Sequence, residues 1–569
     1  MGRNKEKKYL HYVGTAAVLL LCVVGAFNGS TVEAKEGKTK NYKYSIEKNG
    51  KVSILKYIGK KKKVSVPTKI KGKTVYKISY EAFSGTKVTN VMVPDSVKTV
   101  QRAAFSNCKN LKKVTMPGVD VIELYVFQNC SNLKQVVFSK NLRGVGFNAF
   151  QNCRNLISVG DITIDKVESG AFENCGKLTS KITLSEKCMH VGSYAFYGCK
   201  KVDLTIPNTV TRVDKFAFAF CQKLTKITIS NLVDWIGFDE YALPDSDDDP
   251  DSLYLTTLNC YINMNAYAGC KNIKEIDLQD TRGKLVLENG VLYNKDKTLV
   301  VYVLPTYEGN LEFLSKVKYL SDYALTGFNQ ENVVLPTNLE KIGEGVLFGA
   351  KTKHVQWPAS VTSVPYNAFA YSDIAELELP EGVKEICNRA VSYCKNIKTI
   401  TLPKSFQTFF DDDEWSSLFR GLPALEKIKV AKGNKKYYSK QGILFQKKSK
   451  NSTLVCYPAA KKGKTYTVSK NVYLGTYCFD SLQYLRKVKI PKKSVIKTIE
   501  NYFIDCKNVT VSFPKTVKSV ASSENPTDFP LFTNCKNCKA LVKKGSKVLK
   551  VFKKYAKWNP DMWAYKVVK

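Results

Sequence analysis

Histidine is nearly absent from this sequence of 569 residues. Of its three histidines, His11 lies in an N-terminal segment with the features of an export signal, which leaves His190 and His354. Histidine is the usual general base of catalytic triads, and neither residue lies in a nucleophile motif. The sequence also lacks Gly-x-Ser-x-Gly and a glycine-rich phosphate loop. We therefore predict that the protein is not an enzyme and uses no cofactor.

Long hydrophobic runs are missing beyond the N-terminus. The apolar stretch 13–27 follows a basic start and is short for a membrane span, which needs roughly 20 residues. Residues 32–34 (Val-Glu-Ala) then offer a small-residue cleavage site. We predict that residues 1–34 are a signal peptide and that the mature chain begins near Lys35 with no integral membrane span; an uncleaved anchor is the alternative. The predicted location is secreted or on the extracellular surface.

Negative charge is scarce. The chain has 89 Lys and Arg residues against 50 Asp and Glu residues, a formal net charge of +39. Four of the basic and two of the acidic residues lie in residues 1–34, so the mature charge is +37. This field favours anionic partners such as wall polymers, anionic glycans, acidic proteins or nucleic acid, although lysine also simply solubilises a long surface. No nucleic-acid recognition motif accompanies the charge, so specific nucleic-acid binding is not predicted.

The acidic residues form two conspicuous clusters. Five aspartates lie between Asp245 and Asp251, and residues 411–414 precede Trp415. Clustered carboxylates suit calcium, but the Asp-x-Asp-x-Asp-Gly loop with its distant Glu is missing. We interpret both clusters as solvated loops and predict no metal site.

What the sequence has in abundance is a repeat. Units such as Ala104–Leu111 and Val126–Leu133 spell nearly the same phrase around an aromatic anchor, and the first anchors follow one another at spacings of 22 to 24 residues. Internal periods of this size are typical of solenoids. The anchors are Phe83, Phe105, Phe127, Phe150, Phe172, Phe196 and Phe218, and the series resumes with Leu325, Leu347, Phe369, Val391, Phe419, Phe479, Phe503 and Phe532.

Each anchor is followed by a phrase with strand-like alternation. In Leu111–Pro117 and Leu485–Pro491, apolar residues at the first, fourth and sixth places alternate with polar ones, and proline ends the phrase. One such unit cannot bury its apolar face alone, but stacked units can. The sequence therefore predicts a β-rich solenoid of roughly sixteen coils with a continuous core.

Cysteine falls on the same period. Ten of the 17 cysteines lie three residues after an anchor, which places one thiol per coil on an inward column. Because Thr86 and Ala350 fill this place in other units, we predict that these cysteines pack as small hydrophobes. A metal or redox pair of Cys535 with Cys538 is a weaker alternative, since structural zinc needs four ligands. The ten are Cys108, Cys130, Cys153, Cys175, Cys199, Cys221, Cys270, Cys394, Cys506 and Cys535.

The combined pattern, Ala-Phe-x-x-Cys-x-x-Leu-x-x-Val-x-Ile-Pro, resembles the BspA-type leucine-rich repeats of bacterial surface proteins, from about Tyr42 to near the C-terminus. The phrase 57–78 resembles that family's N-terminal cap, and two hairpin-like inserts, 288–300 and 441–458, echo one another. The resemblance implies a leucine-rich-repeat solenoid in which Phe and Cys ladders replace the commoner asparagine ladder. It also implies an anaerobic or reducing niche, in which free thiols survive.

The predicted organisation has a signal peptide, a solenoid and two caps. Interruptions of the spacing are interpreted as loops or hairpins on the solenoid flank, where binding elements are common. The parts are residues 1–34 (signal), 35–78 (N-terminal cap), 79–539 (solenoid, with insertions near 231–262, 281–318 and 432–470) and 540–569 (C-terminal cap, with Trp558 and Trp563).

The candidate binding surface is the face formed by the strands. Its polar side chains should project from adjacent strands as one ribbon, and a rigid, repetitive surface loses little entropy on docking a large partner. The resemblance implies adhesion to host matrix proteins, host receptors or other microbes. The alternatives are a basic scaffold held by anionic wall polymers and a glycan-binding protein. The candidate residues are Lys113, Thr115, Lys226, Thr228, Thr399, Thr401, Lys427, Lys429, Lys487 and Lys489.

Overall fold

The computed structural model describes ten segments of the chain: residues 35–139, 142–229, 235–236, 261–262, 264–279, 283–311, 316–410, 419–520, 531–558 and 560–568. The predicted signal peptide, most of the 231–262 insertion with its aspartates, and the acidic cluster 411–414 lie outside these residues. Within the described segments, no helix is long and apolar enough to cross a membrane.

The chain forms a β-solenoid of about 20 turns, which confirms the predicted fold class. A regular turn contains a longer strand, a short strand and a tight turn that carries the anchor. The longer strands pair in parallel from turn to turn and make up the strand face; Lys113, for example, is in register with Asn90 and Gln135. The longer strands are Lys63–Ser65, Asn90–Met92, Lys113–Met116, Gln135–Phe138, Ile162–Ile164, Lys181–Leu184, Asp203–Thr205, Lys226–Ile229, Glu275–Leu278, Asn332–Val334, His354–Gln356, Glu376–Glu378, Thr399–Leu402, Lys427–Val430, Thr465–Thr467, Lys487–Lys489, Thr510–Phe513, Lys539–Lys543 and Tyr565–Val568.

The short strands form a second side of the solenoid and also pair in parallel, as Val121–Ile122 does with Gly144–Val145. The remaining short strands on this side are Thr99–Val100, Lys166–Val167, His190–Val191, Arg212–Val213, Trp235–Ile236, Tyr261–Ile262, Tyr319–Leu320, Lys341–Ile342, Ser363–Val364, Glu385–Cys387, Thr408–Phe410, Val472–Leu474, Thr498–Ile499 and Ser519–Val520. Three anchors lie in brief strands of their own, Phe479–Asp480, Phe503–Ile504 and Phe532–Thr533.

Both ends of the described solenoid are covered by other elements. The first turns pack on a largely antiparallel sheet, and the last turn is covered by a helix whose Val548 and Phe552 are buried with Trp563. An open end would expose its apolar core, so such covers are expected of solenoids. The N-terminal strands are Lys35–Lys38, Tyr42–Ile46, Val52–Tyr57, Lys69–Ile70 and Lys73–Ile78; the helices are the 3-10 turn Met264–Tyr267 and the α-helix Val548–Trp558.

The core is organised in columns that run along the solenoid axis. The rings of the first seven anchors, from Phe83 to Phe218, stack with centroids 4.9–5.8 Å apart. This separation approximates the spacing of neighbouring strands, about 4.8 Å. The column continues through buried tyrosines: Tyr57 stacks on Phe83, and Tyr267 on Phe218. The structure has about 20 turns, more than the roughly sixteen coils expected.

The cysteine column is held by hydrogen bonds as well as by packing. The Cys153 thiol donates to the backbone oxygen of Phe127, the anchor of the preceding turn, at 3.1 Å. Burial raises the pKa of the Cys199 thiol to about 12, so such a thiol stays a protonated donor at neutral pH. The interpretation as simple packing was therefore incomplete. The same bond is made by Cys108, Cys130, Cys175, Cys199, Cys221, Cys270, Cys394 and Cys506; Cys535 instead donates to Thr533 in its own turn.

An asparagine ladder is present on the outer side of the anchor turns. Asn129 Nδ2 donates to Asn107 Oδ1 at 3.2 Å, and Asn152 and Asn174 continue the series at 3.1 Å each. These residues lie two places after the anchor with φ between 57° and 62°. Asparagine tolerates this left-handed conformation better than most residues. The period of the sequence predicted ladders only in the core, and this outer ladder was not predicted.

Each of the two hairpin inserts is followed by a coil of the solenoid that lacks the tight turn which carries the anchor in other coils. The first insert follows Leu285–Glu288 and Val291–Asn294 with the strand Leu299–Val303. From Val303 to Pro305 the chain advances by two positions, while the next turn advances by five positions beside it, from Ala324 to Asn329. The bonds that show this are Val303 N to Ala324 O (2.8 Å) and Asn329 N to Pro305 O (3.0 Å).

The second insert has the same construction. Its strands are Tyr437–Lys440, Ile443–Lys447 and Ser452–Cys456. The corresponding bonds are Tyr457 N to Cys478 O and Gln483 N to Ala459 O, both 2.9 Å. The two inserts are therefore alike in structure as well as in sequence, because each shortens one coil of the solenoid in the same way.

Where a turn omits its anchor turn, the turns on either side close over the gap. Gly269 N donates to Thr326 Oγ1 at 2.9 Å, although 57 residues separate them. At the second insert, Gly421 N donates to Asp480 Oδ2 at 3.3 Å across 59 residues. The solenoid therefore bends towards its anchor-turn side at both inserts.

The cysteine column gives a first prediction. Replacing Cys153 with Ala removes a buried donor to Phe127 and leaves a small void, so we expect a loss of about 1–2 kcal/mol in the free energy of unfolding. Cys153→Ser keeps a donor at this place and should lose less. Chemical denaturation of both variants measures the difference; equal stability of the Ala variant and the parent chain would contradict the thiol's role.

The second bend gives a pH prediction. Asp480 is 7% exposed, and burial raises the pKa of its carboxyl to about 7, with the neighbouring Asp505 acting in the same direction. An unfolded aspartate has a pKa of about 4, so between about pH 4 and 7 the unfolded state binds fewer protons than the folded state. Stability should therefore fall as the pH rises through this window and level off above it.

The measurement is the denaturation midpoint across this pH range for the parent chain, Asp480→Asn, and Asp203→Asn as an exposed control. The Asp480 variant should lose this part of the pH dependence, whereas the control should keep it. An unchanged profile in Asp480→Asn would show that another group titrates.

Candidate functional site

Nine of the ten predicted binding residues are half-buried or exposed on the strand face, and Thr399 is buried at 7% exposure. They do not form one hydrogen-bonded ribbon, because they fall in four separate sheets. The structure brings one group together on adjacent strands. In that group Thr399 is in register with Lys427 and Thr401 with Lys429.

The charge of the strand face is uneven. Lys226 is neutralised by Glu275 and Asp277 on the neighbouring strand, each 2.9 Å away. The hydrogen bonds that the Lys226 ammonium donates to these two carboxylates raise its pKa. The strand Glu376–Glu378 adds two exposed glutamates beside the threonines. Exposed lysine pairs that carry no such partner in the described chain lie at Lys427 with Lys429 and at Lys487 with Lys489.

The pair Lys427 and Lys429 lines a cleft between the strand face and the second hairpin insert. Lys461 and Lys462 approach from the far side of the insert, and Lys461 Nζ donates to Gln441 O at 2.5 Å. Gly442, with φ 80°, lets the hairpin backbone pass close to the Lys427 side chain. The cavity is about 430 Å³, and Glu426 and Ser439 complete its polar lining. We call this site, with its four lysines, the basic cleft.

A second concave surface lies on the anchor-turn side, at the first bend. Its floor is a buried aromatic cluster in which the Phe348 ring contacts Phe216 and Phe220 at 6.1 and 5.6 Å. A cavity of about 350 Å³ opens above this floor. We call it the aromatic groove; its rim residues are Tyr194, Tyr197, Tyr366, Tyr371, Tyr393, Arg389 and Arg420.

The groove arises where aromatic residues replace asparagine and glycine in the anchor turns. Phe220, Tyr371 and Tyr393 occupy the place that Asn107 and its ladder partners hold in earlier turns, with φ of 61–62°. Bulky residues are genuine outliers in this region of φ. An aromatic residue two places after an anchor is visible in the sequence. That these residues form a groove could not be predicted, because the groove exists only where the solenoid bends.

The two arginines of the groove lie on tyrosine rings. The Arg389 guanidinium is 5.8 Å from the Tyr366 centroid, and that of Arg420 is 5.7 Å from the Tyr393 centroid. Tyr371 and Tyr393 stack on one another at 4.8 Å. Burial raises the pKa of Tyr371, so its hydroxyl remains protonated at neutral pH. The groove thus offers neutral hydroxyls and two positive charges.

The remaining sequence candidates do not assemble into a site. Cys538 is buried, and its thiol donates to the backbone oxygen of Cys506 at 3.6 Å. The Cys535 thiol donates to the backbone oxygen of Thr533. His190 pairs with Asp214 at 2.8 Å on the short-strand side. Among the residues that the structure describes, no group of three or more His, Cys, Asp or Glu side chains is placed to hold a metal ion.

Comparison with known proteins identifies the family to which the repeats are similar. A family model described as BspA type leucine rich repeat region (6 copies) matches residues 60–179, 160–274, 308–438 and 459–554, together well over half of the chain. No curated protein matches.

Several solved structures are similar to this chain. A leucine-rich cell surface protein from Faecalibacterium prausnitzii is 20% identical over 70% of this chain and 95% of its own, with a TM-score of 0.46. The leucine-rich-repeat protein of T. pallidum is 27% identical over 33% of this chain and 91% of its own, with a TM-score of 0.31. The pneumococcal vaccine antigen PcpA is 15% identical over 94% of this chain and 99% of its own, with a TM-score of 0.27.

Proposed function

The chain belongs to the BspA-type leucine-rich-repeat family, and on that basis we propose that it is an exported adhesin, which binds host matrix proteins, host receptors or other microbes through its solenoid surface. The family's repeat is a binding scaffold found in bacterial surface proteins. On this proposal the protein performs no catalysis, and its selectivity comes from the side chains that the scaffold holds in place.

The basic cleft is the observation that carries the proposal. Lys427 and Lys429 come from a strand of the solenoid, and Lys461 and Lys462 from the chain beyond the hairpin. Lys461 Nζ donates to Gln441 O and Lys462 Nζ lies over the Tyr484 ring, so the two strand lysines are the cations most open to a partner. Both elements share one core, because Leu444 of the hairpin is fully buried with the solenoid residues. A preformed cationic surface attracts an acidic partner and loses little conformational entropy when the partner docks.

A basic scaffold held by anionic wall polymers is the competing function. It is favoured by the excess of 89 basic over 50 acidic residues and by the second exposed pair, Lys487 and Lys489, which lies outside the cleft. A scaffold of this kind needs only charge density, so any exposed lysine pair would contribute equally. Salt would weaken it steeply, because surface charges are screened within about 10 Å at 0.1 M ionic strength.

The test compares two charge reversals of equal size on the same face. We expect Lys427→Glu with Lys429→Glu to weaken binding of the exported chain to an arrayed panel of matrix proteins by about tenfold, equivalent to ~1.4 kcal/mol. The matched control, Lys487→Glu with Lys489→Glu, should change binding by less than about twofold, because it lies outside the cleft.

Surface plasmon resonance at low and high salt distinguishes the two functions. Selective binding that survives high salt and depends on the cleft supports the adhesin. Equal losses in both variants, with binding confined to polyanions and abolished by salt, would reject the adhesin in favour of the wall-held scaffold.

A further inference from the structure

The aromatic groove contains side chains in a backbone conformation that the turn itself does not favour. At the place occupied by Tyr371 and Tyr393, most other turns have Asn or Gly, and the rest have Phe220, Ser481 or Asp505. The left-handed conformation is disfavoured for a bulky side chain, so a tyrosine here must be compensated by its contacts. Phe220 packs on Phe348, and Tyr371 packs on the same ring at 5.2 Å while it stacks on Tyr393. Tyr371 nevertheless keeps 37% of its surface exposed, so part of its ring is open to a ligand.

The way the rings are arranged restricts what the groove can bind. One face of Tyr393 is covered by Tyr371, the guanidinium of Arg420 also lies over this ring, and Arg389 lies over Tyr366. A sugar that needed an open ring face would find these faces occupied. The edges of the guanidinium groups remain, and a stacked guanidinium presents N–H groups that match a carboxylate in a bidentate geometry.

Two buried polar atoms in the groove support a polar ligand. Within the described part of the chain, neither Ser392 Oγ nor Arg420 Nε has a hydrogen-bond partner. Ser392 is 2% exposed and lines the cavity. The Asp505 carboxylate lies 3.9 Å from Arg420 Nε, which is beyond hydrogen-bond reach. A buried polar group without a partner is destabilising, so a ligand that draws these two side chains towards the cavity and bonds to them is favoured.

The two guanidinium groups of the lining favour an anionic partner. Lys215, Arg389 and Arg420 contribute three positive charges, against Asp322 and Glu344 in the lining and Asp505 beside Arg420. Asp322 Oδ1 already accepts the backbone N–H of Glu344 at 2.7 Å, so part of this negative charge is satisfied internally. Tyrosine and arginine are also the residues that dominate hot spots of protein interfaces. A protein segment that carries carboxylates fits these features better than a neutral ligand does.

We propose that the aromatic groove docks an acidic segment of a partner protein, with a carboxylate held by Arg389 and Arg420 and the adjoining side chain packed against Tyr371. This inference rests on the proposed binding function but concerns a different side of the solenoid from the basic cleft. The two surfaces face different elements of the turn, so the chain has two separate docking sites.

The test measures fluorescence anisotropy of a labelled Glu/Tyr peptide titrated with the whole exported chain. Arg389→Gln with Arg420→Gln should weaken binding by about tenfold or more. The matched control, Lys492→Gln with Lys493→Gln, removes two positive charges from exposed side chains outside both the groove and the basic cleft and should change peptide binding by less than about twofold. Equal effects of the two pairs would mean that net charge alone binds the peptide, and would overturn the proposal.

A single substitution separates binding from folding. Asn occupies the place of Tyr371 in other turns without strain, so Tyr371→Asn should keep or raise the melting temperature while it weakens peptide binding by about tenfold. A lower melting temperature with unchanged binding would show that Tyr371 only stabilises the bend. Absence of peptide binding to the parent chain would also overturn the proposal.

Acidic polysaccharides form the last arm of the experiment. If a uronic-acid polymer bound in a manner that depended on Arg389 and Arg420 while the peptide did not, the groove would belong to glycans and the proposal would fail. Failure of the adhesin proposal is distinguishable, because it is measured with matrix proteins and with the cleft variants, which leave the groove unchanged.

Discussion

The spacing of one strand to the next, about 4.8 Å, is the constraint on which the rest of this structure depends. A side chain at a given place in one turn must stack on its equivalent in the next turn, and the Phe column does so at 4.9–5.8 Å. The backbone follows the same rule, since the column thiols other than that of Cys535 reach the anchor oxygen of the preceding turn. Columns of this kind hold only while every turn has the same perimeter. A shorter turn must therefore change the direction of the whole solenoid.

The regular part of the fold was predictable because the repeat length in the sequence equals the number of residues in one coil of the solenoid. A period of 22 residues identified the anchors, the strands and the inward cysteines directly. Tyr57 was missed as a member of the column because a tyrosine differs from the phenylalanine pattern, although its ring occupies the same place. The hydrogen bonds of the thiols were not predictable, since the period does not show which backbone oxygen faces each sulfur atom.

The candidate sites were less predictable because they depend on where the period fails. Lys427 and Lys429 were identified as strand-face residues, but the cleft around them also requires the hairpin to fold back against their strand. Thr399 alternates correctly in sequence, yet it is buried beside its neighbours. The aromatic groove combines residues from Tyr194 to Arg420, and nothing local in the sequence indicates that these turns meet. These turns meet where hydrogen bonds join residues far apart in the sequence. Gly269 and Thr326 are 57 positions apart, and Gly421 and Asp480 are 59 positions apart.

The bends explain why one scaffold can carry two different surfaces. In an unbent stack, the turns of Phe216 and Phe348 would be separated by four strand spacings, roughly 19 Å; their rings are 6.1 Å apart. The shortened turn thus converts separate surface residues into a floor, and the residues around it into a rim with Arg389 and Arg420. On the strand side the same kind of insert supplies a wall for the basic cleft. The second hairpin therefore acts twice, since it supplies a wall of the basic cleft on the strand face and shortens a turn on the anchor-turn side.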